Sequence, residues 1–502
     1  MTTRTRSSQD TREGLAETGV PGLDEILGGG LARGLYLIEG FPGSGKTTLA
    51  FQFLLEGARA GESALYVTLS ESVAEVESVA LSHGWALETV AIASLAPDDQ
   101  RLEPDQKYTM FHPSEVELTE VTRSIREHFE RVRPTRAVLD SLSELRLMAG
   151  SPLRYRSEVL ELKRLATSHG CTLLLTEDRP ELDRDSQVRS LAHGIVQLEQ
   201  IHPEYGAQRR RLTVVKYRGT KYLGGHHDYV IRRGGIVAFP RIVAADKRQM
   251  SSREKLSSGV AELDLLLGGG IERGTSTLIA GAPGCGKSTL SARFVQSAAD
   301  RGQRAAVFMF DENLGTYLLR ARGLGMDLAR HVEAGRVSLR QVDPAELSPG
   351  EFAHEVCRAA ERDELSVVVI DSLNGYLQAM PEERFLTLQL HEILTFLGQL
   401  GVATILIGVH AGLVDSVMVS PADASYLADS VILLRYFESD GEVRQAISVV
   451  KKRAGTHERT IREFKMEHGG IRVGEPLRQF QGILTDGPTY RGSGKQLLDK
   501  GS

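Results

Sequence analysis

Short apolar runs recur along the chain, and each stops at a glycine or an acid. Leu35-Tyr36-Leu37-Ile38 and Thr277-Leu278-Ile279-Ala280 both lead into a glycine-rich loop. Ala64 to Thr68 and Ala305 to Phe310 read as a second strand in each set, Ala137-Val138-Leu139 and Val367 to Ile370 as a third, and Thr172 to Leu175 and Thr404 to Ile407 as a fourth. Unbroken apolar runs, rather than alternation, mark parallel strands covered on both faces. Helical segments lie between them. The pattern therefore predicts an α/β fold, with a mostly parallel sheet flanked by helices in each half. Around 195–235 and 431–475 the pattern turns to hairpins, which predicts antiparallel strands added at one sheet edge.

The strands come in two sets because the chain repeats itself. Thr18-Gly19-Val20 opens a stretch through Leu23-Asp24 to Gly28-Gly29-Gly30, and Ser258-Gly259-Val260 opens another through Leu263-Asp264 to Gly268-Gly269-Gly270. A period this long is a duplicated domain, not a solenoid. Residues 18–246 and 258–482 are read as the two domains. Residues 247–257 form a polar, basic linker, and 1–17 and 483–502 are tails.

Composition narrows the class. Of 502 residues, 41% are apolar and 25% charged, which suits a globular chain and excludes a disordered one. The net charge of −6 gives no global pull on nucleic acid or anionic membrane. Arg209-Arg210-Arg211 reads as a solvated hairpin tip. No stretch is long and apolar enough to cross a bilayer. The three cysteines, Cys171, Cys285 and Cys357, stand far apart in no metal-type spacing, which fits a reducing, cytoplasmic setting.

The chemistry lies in the glycine-rich loops. Gly40-Phe-Pro-Gly43-Ser44-Gly45-Lys46-Thr47-Thr48 and Gly281-Ala-Pro-Gly284-Cys285-Gly286-Lys287-Ser288-Thr289 match the phosphate-loop pattern, each after a strand and before a helix. Glycines let backbone N–H groups turn inward around phosphate oxygens, and the helix N-terminus adds its positive end. Lys46 and Lys287 are expected to reach the β- and γ-phosphates of ATP, and Thr47 and Ser288 to bind Mg²⁺. A phosphate-bound Mg²⁺ also needs a carboxylate at a strand end. Asp140 and Asp371 follow the third strands. Hydrolysis needs a group that orients or deprotonates water. Ser70-Glu71 and Asp311-Glu312 close the second strands, and ligands of such sheets sit at the strands' carboxyl ends. Cys285, at a helix N-terminus, is read first as a small residue that fits the loop, with a thiol of depressed pKa as the alternative. Two basic clusters also correspond: Lys216-Tyr217-Arg218 and Lys451-Lys452-Arg453. Lys and Arg two apart on a strand share one face. They serve either as a phosphate clamp for a neighbour's site or as a charged edge that resists aggregation.

Together these motifs, with the Thr-Gly-Val-Pro-Gly-Leu-Asp lead-in, Lys216-Tyr217-Arg218-Gly219-Thr220 and Ile461-Arg462-Glu463-Phe464, resemble the KaiC family of double-domain RecA-like ATPases over about residues 18–490. The resemblance implies a homohexamer of two stacked rings with ATP between subunits. It breaks the tie above: Lys216, Arg218, Lys451 and Arg453 are implied to act in trans. It implies slow ATP hydrolysis in the first domain and, in clock-type members, autophosphorylation in the second. Departures are visible. The first acid pair is Ser70-Glu71, and the second is Asp311-Glu312. Ser425-Tyr426 stands where the family carries its Ser-Thr acceptors, so Ser425 is the implied acceptor. A long partner-binding tail is not evident. The sequence thus points to a Mg²⁺-dependent ATPase, possessing serine autokinase capacity by resemblance, that acts with a signalling partner it does not identify. Two other readings are a RecA-like DNA motor, against which the acidic balance weighs, and a nucleotide-gated scaffold with negligible turnover.

Overall fold

The structure is a computed structural model that describes residues 14–96, 113–178, 186–203, 206–243, 254–378, 386–409, 426–439, 441–481, 483 and 489–490. The chain divides into two compact units, Met1–Arg241 and Ile242–Ser502. Residues 247–253 of the expected linker, and most of both expected tails, lie outside the described residues.

The first unit is built on nine strands: β1 (Leu35–Gly40), β2 (Ala64–Thr68), β3 (Val90–Ser94), β4 (Arg136–Asp140), β5 (Thr172–Asp178), β6 (Gly194–Ile201), β7 (Arg209–Tyr217), β8 (His226–Arg232) and β9 (Gly235–Phe239). Their order across the sheet is β3-β2-β4-β5-β1-β6-β7-β8-β9. The first six are parallel neighbours, and β7, β8 and β9 add as antiparallel hairpins beside β6.

The second unit opens with a two-stranded ribbon of β10 (Lys255–Leu256) and β11 (Ile271–Glu272). Its main strands are β12 (Ser276–Gly281), β13 (Ala305–Met309), β14 (Val337–Gln341), β15 (Val367–Asp371), β16 (Ala403–Val409), β17 (Ser430–Ser439), β18 (Glu442–Lys452), β19 (Ile461–Glu467) and β20 (Gly470–Pro476). Their order, β14-β13-β15-β16-β12-β17-β18-β19-β20, repeats that of the first unit.

Both sheets are covered on both faces, which is why their strands read as unbroken apolar runs. Alternate residues of one strand enter different cores. Tyr36 and Ile38 pack on one face, with Phe51 and Phe53 of the helix Lys46–Arg59, while Leu35 and Leu37 pack on the other with Phe129 and Tyr155. Val367 and Val369 likewise part from Val368 and Ile370. The edge strands β3 and β14 escape the pattern, because each mixes buried residues with partly or fully exposed ones. Arg209, Arg210 and Arg211 begin β7, paired with Ile201, Gln200 and Glu199, and Arg211 lies 3.6 Å from Asp228. They are ladder residues rather than the hairpin tip expected from sequence.

Candidate active sites

Each phosphate loop links the central strand of its sheet to a helix, Lys46–Arg59 or Lys287–Asp300. The turn needs glycine at its last position: Gly45 and Gly286 take φ of 95° and 99°. The first loop glycine is fixed by space. A Cβ on Gly40 would lie 2.7 Å from the Leu198 carbonyl, and one on Gly281 would lie 2.4 Å from that of Leu434.

In the first unit, Lys46 Nζ donates to the carbonyls of Gly40 at 3.0 Å and Phe41 at 3.1 Å. It also pairs with Asp178 at 2.7 Å. Thr47 donates its hydroxyl to Asp140 Oδ2 at 2.8 Å. Tyr66 and Thr176 donate to the same carboxylate, at 2.7 and 2.6 Å, and so hold it at the end of β4. Glu71 lies just past β2, anchored by its N–H to Thr68 Oγ1 at 2.9 Å. Among the described residues, its buried Oε2 has no hydrogen-bond partner. Burial raises the Glu71 pKa, and the charges of Asp140 and Glu75 raise it further.

The second unit repeats the frame with different fittings. Lys287 Nζ donates to the carbonyls of Gly281 at 2.9 Å and Ala282 at 2.8 Å, and burial pulls its pKa down. Ser288 hydrogen-bonds Asp371, whose pKa is nevertheless raised because burial outweighs that bond and the Arg320 charge. Asp311 is exposed and accepts the Ser372 hydroxyl. Glu312 is gripped at both oxygens by Arg320, at 3.2 and 2.7 Å. Arg320 also donates to Thr289 at 3.0 Å. A cleft of about 370 Å³ opens between Gly284, Gly286, Lys287, Ser288 and Thr289 on one side and Glu312, Arg320, Leu324 and Met466 on the other.

Other expected residues fall as follows. Thr48 faces His83 at 3.5 Å. Ser44 and Cys285 are fully buried under their loops, each against the first loop glycine, so their side chains serve packing. Burial raises the Cys285 thiol in pKa, outweighing Lys287 and the backbone N–H groups, so the alternative of a depressed thiol fails and the small packing residue stands. Lys216 donates to the Arg189 carbonyl at 2.8 Å, and exposed Arg218 donates to that of Ser190 at 2.8 Å. Lys451 pairs with Val431 in the ladder. Arg453 donates to the Tyr426 carbonyl at 3.0 Å and lies 3.4 Å from Asp429. Ser425 lies outside the described residues.

The sequence reading passed over Asp178, Thr176, Tyr66, Arg320 and Ser372. Asp178 comes to the site only through strand pairing. The register sets Gly40 beside Asp178 and Gly281 beside Val409, so the two halves differ at one strand end.

A family model described as "ATPase: KaiC" matches residues 16–242 and again residues 256–478. The chain belongs to the KaiC ATPase family. Its two units are the tandem RecA-like P-loop domains of that ATP-binding family. The circadian clock protein KaiC3 of Synechocystis sp. (strain ATCC 27184 / PCC 6803 / Kazusa) is 28% identical over 491 residues, covering 94% of each chain. The circadian clock oscillator protein KaiC of Thermostichus vulcanus is 27% identical over 486 residues, covering 94% of this chain and 91% of its own. That of Synechococcus elongatus (strain ATCC 33912 / PCC 7942 / FACHB-805) is 26% identical over 501 residues, covering 97% and 94%. Among the described residues, no helix of this KaiC-family chain is long and apolar enough to cross a membrane.

Proposed function

We propose that the chain is a Mg²⁺-dependent ATP hydrolase that assembles as a nucleotide-controlled homohexameric ring and acts with a signalling protein in cytoplasmic signalling or timing. The observation that carries this is the doubled constellation. In each unit a phosphate-loop lysine is folded onto its own loop carbonyls, beside a hydroxyl bonded to a strand-end aspartate. Such a lysine keeps its donors engaged until phosphate oxygens replace the carbonyls. Thr47 with Asp140, and Ser288 with Asp371, are hard oxygen donors of the kind Mg²⁺ takes alongside phosphate. Among the described residues no three His, Cys, Asp or Glu converge, so each site offers a hydroxyl and one carboxylate for a shared ion. When bound, Mg²⁺ supplies neutralisation of the phosphate charge. Glu71, half-buried and raised in pKa, suits proton acceptance from an attacking water in the first site. Asp311 or Glu312 serves in the second. Exposed Arg218 and Arg453, with Lys216 and Lys451, are the residues that reach a neighbour's phosphates. Ser425 is the acceptor if the second site transfers phosphate to protein.

Phosphate release on the full chain tests the reading. Lys46→Ala and Lys287→Ala should each remove part of the activity, and the double variant nearly all. Arg218→Ala should shrink the ATP-bound ring seen by mass photometry. Full activity in the double variant overturns the assignment. A second reading, a nucleotide-gated scaffold with negligible turnover, draws support from Glu312, which is engaged at both oxygens by Arg320. ATP-dependent assembly without phosphate release would select it.

A further inference from the structure

The two sites carry the same loop but not the same wall. In each unit a helix follows the second strand: Val73–Ser82, capped by Ser72, and Leu314–Gly323, capped by Asn313. The interval between them is the 241 residues that also separate Gly40 from Gly281. At the same turn of this helix the first unit has Val79, packed against the core, and the second has Arg320. The Arg320 guanidinium lies over the Tyr317 ring at 5.2 Å. It spans the cleft wall from Glu312 to the Thr289 hydroxyl, in the first turn of the phosphate-loop helix. A cation is therefore held ready within one hydrogen bond of the loop. Its ion-pair partner, Glu312, lines the same cleft with the opposite sign.

We propose that Arg320 is a nucleotide-binding residue of the second site alone, giving a charge-assisted contact to the phosphates of a nucleoside di- or triphosphate from within the same chain, with Glu312 as the competing anion. This rests on the ATP-binding reading of the phosphate loops. An incoming polyphosphate shares or replaces the Glu312 carboxylate on the guanidinium fork, which is suited to bidentate phosphate contact. The second site then holds ADP and ATP more tightly than the first, where Val79 stands in Arg320's place and the matching Thr48 hydroxyl faces the His83 ring at 3.5 Å. One such contact corresponds to about a tenfold to hundredfold change in affinity.

The test is equilibrium binding of a fluorescent ADP, with Mg²⁺, to the full chain carrying Lys46→Ala, so that the second site is read. Arg320→Met keeps the aliphatic stem and removes the charge. It should weaken ADP about tenfold to a hundredfold and leave adenosine binding unchanged. Glu312→Gln removes the competitor and should strengthen ADP. A pair that merely braces the fold would move both variants in one direction, and that result, or no change in either, overturns the proposal. If Arg320→Met does not fold, Glu312→Gln decides alone: unchanged or weaker ADP binding overturns it. If Lys287→Ala, added to Lys46→Ala, leaves ADP affinity intact, the ATP-binding reading itself fails and takes this inference with it.

Discussion

Glu71 is the acid that most repays attention to its surroundings. Its carboxyl is raised in pKa by burial first and by Asp140 and Glu75 next. Between its unfolded and folded pKa values the folded chain binds the extra proton, so stability falls as pH rises through that window. The cost is absent below the unfolded pKa and complete above the folded one. Glu71→Gln should therefore raise the melting temperature at neutral pH and flatten its pH dependence above the ordinary glutamate range. A variant that melts lower at neutral pH than the parent would contradict this. The sequence made Glu71 visible through its shared interval with Glu312. It did not reveal that one carboxylate is, among the described residues, unpartnered at Oε2 while the other is clasped by Arg320. That contrast depends on a residue eight positions further along, on the next helix, where the two copies differ. Asp140 was legible as a strand-end acid. Its holders Tyr66 and Thr176 come from the strands on either side in the sheet and become neighbours only through pairing.

The hairpin strands position the basic clusters through a repeated irregularity. The ladder shifts between Ile195 and Val196 in one unit and between Val431 and Ile432 in the other. One valine is left unpaired on each partner strand, Val215 or Val450, both largely exposed. The bulge places Tyr217 and Lys452 at matching positions, where they do one task by different chemistry. Tyr217 donates to the Gly30 carbonyl at 2.8 Å and accepts from the Ala32 N–H at 2.8 Å. Lys452 donates to the carbonyls of Leu267 and Gly270 and pairs with Glu272 at 2.8 Å. Lys452→Met should destabilise the second unit by about 3 kcal/mol or more, since it leaves a buried carboxylate without its main cation. Val450→Ala should stay within about 0.5 kcal/mol of the parent. Denaturant melts compare the two, and equal effects would refute the anchoring role. The apolar runs announced the central strands and the hairpins. They did not announce β3 and β14, five-residue edge strands whose mixed exposure imitates loop.

The chain as a whole is two cores in tandem rather than one large core. Each unit packs both faces of its own sheet with its own described residues. Unfolding of the full chain is therefore expected in two transitions, not one. Saturating Mg²⁺-ATP should raise both, by about 2.7 kcal/mol at a hundredfold excess over the dissociation constant. Lys46→Ala should abolish the rise in one transition and Lys287→Ala the rise in the other. Calorimetry decides it, and a single cooperative peak that shifts as a unit would show the halves to be thermodynamically inseparable. The duplication itself was legible from the first glycines. What it cannot convey is divergence at strand ends, since those residues contact one another only across the sheet.

Asp178 gives the first site a tethered inhibitor. Its carboxylate, 2.7 Å from Lys46 Nζ, behaves as a ligand at fixed effective concentration that a free nucleotide must outcompete. The register puts Val409, which has no carboxylate, at the matching strand end of the second unit. Affinity at the first site is thus adjustable from β5 without altering the phosphate loop. With Asp178 about half exposed, the competition is modest, and Asp178→Asn should tighten nucleotide binding up to about fivefold, read in a Lys287→Ala background. Unchanged or weaker binding would mean that Asp178 supports the lysine rather than withholding it.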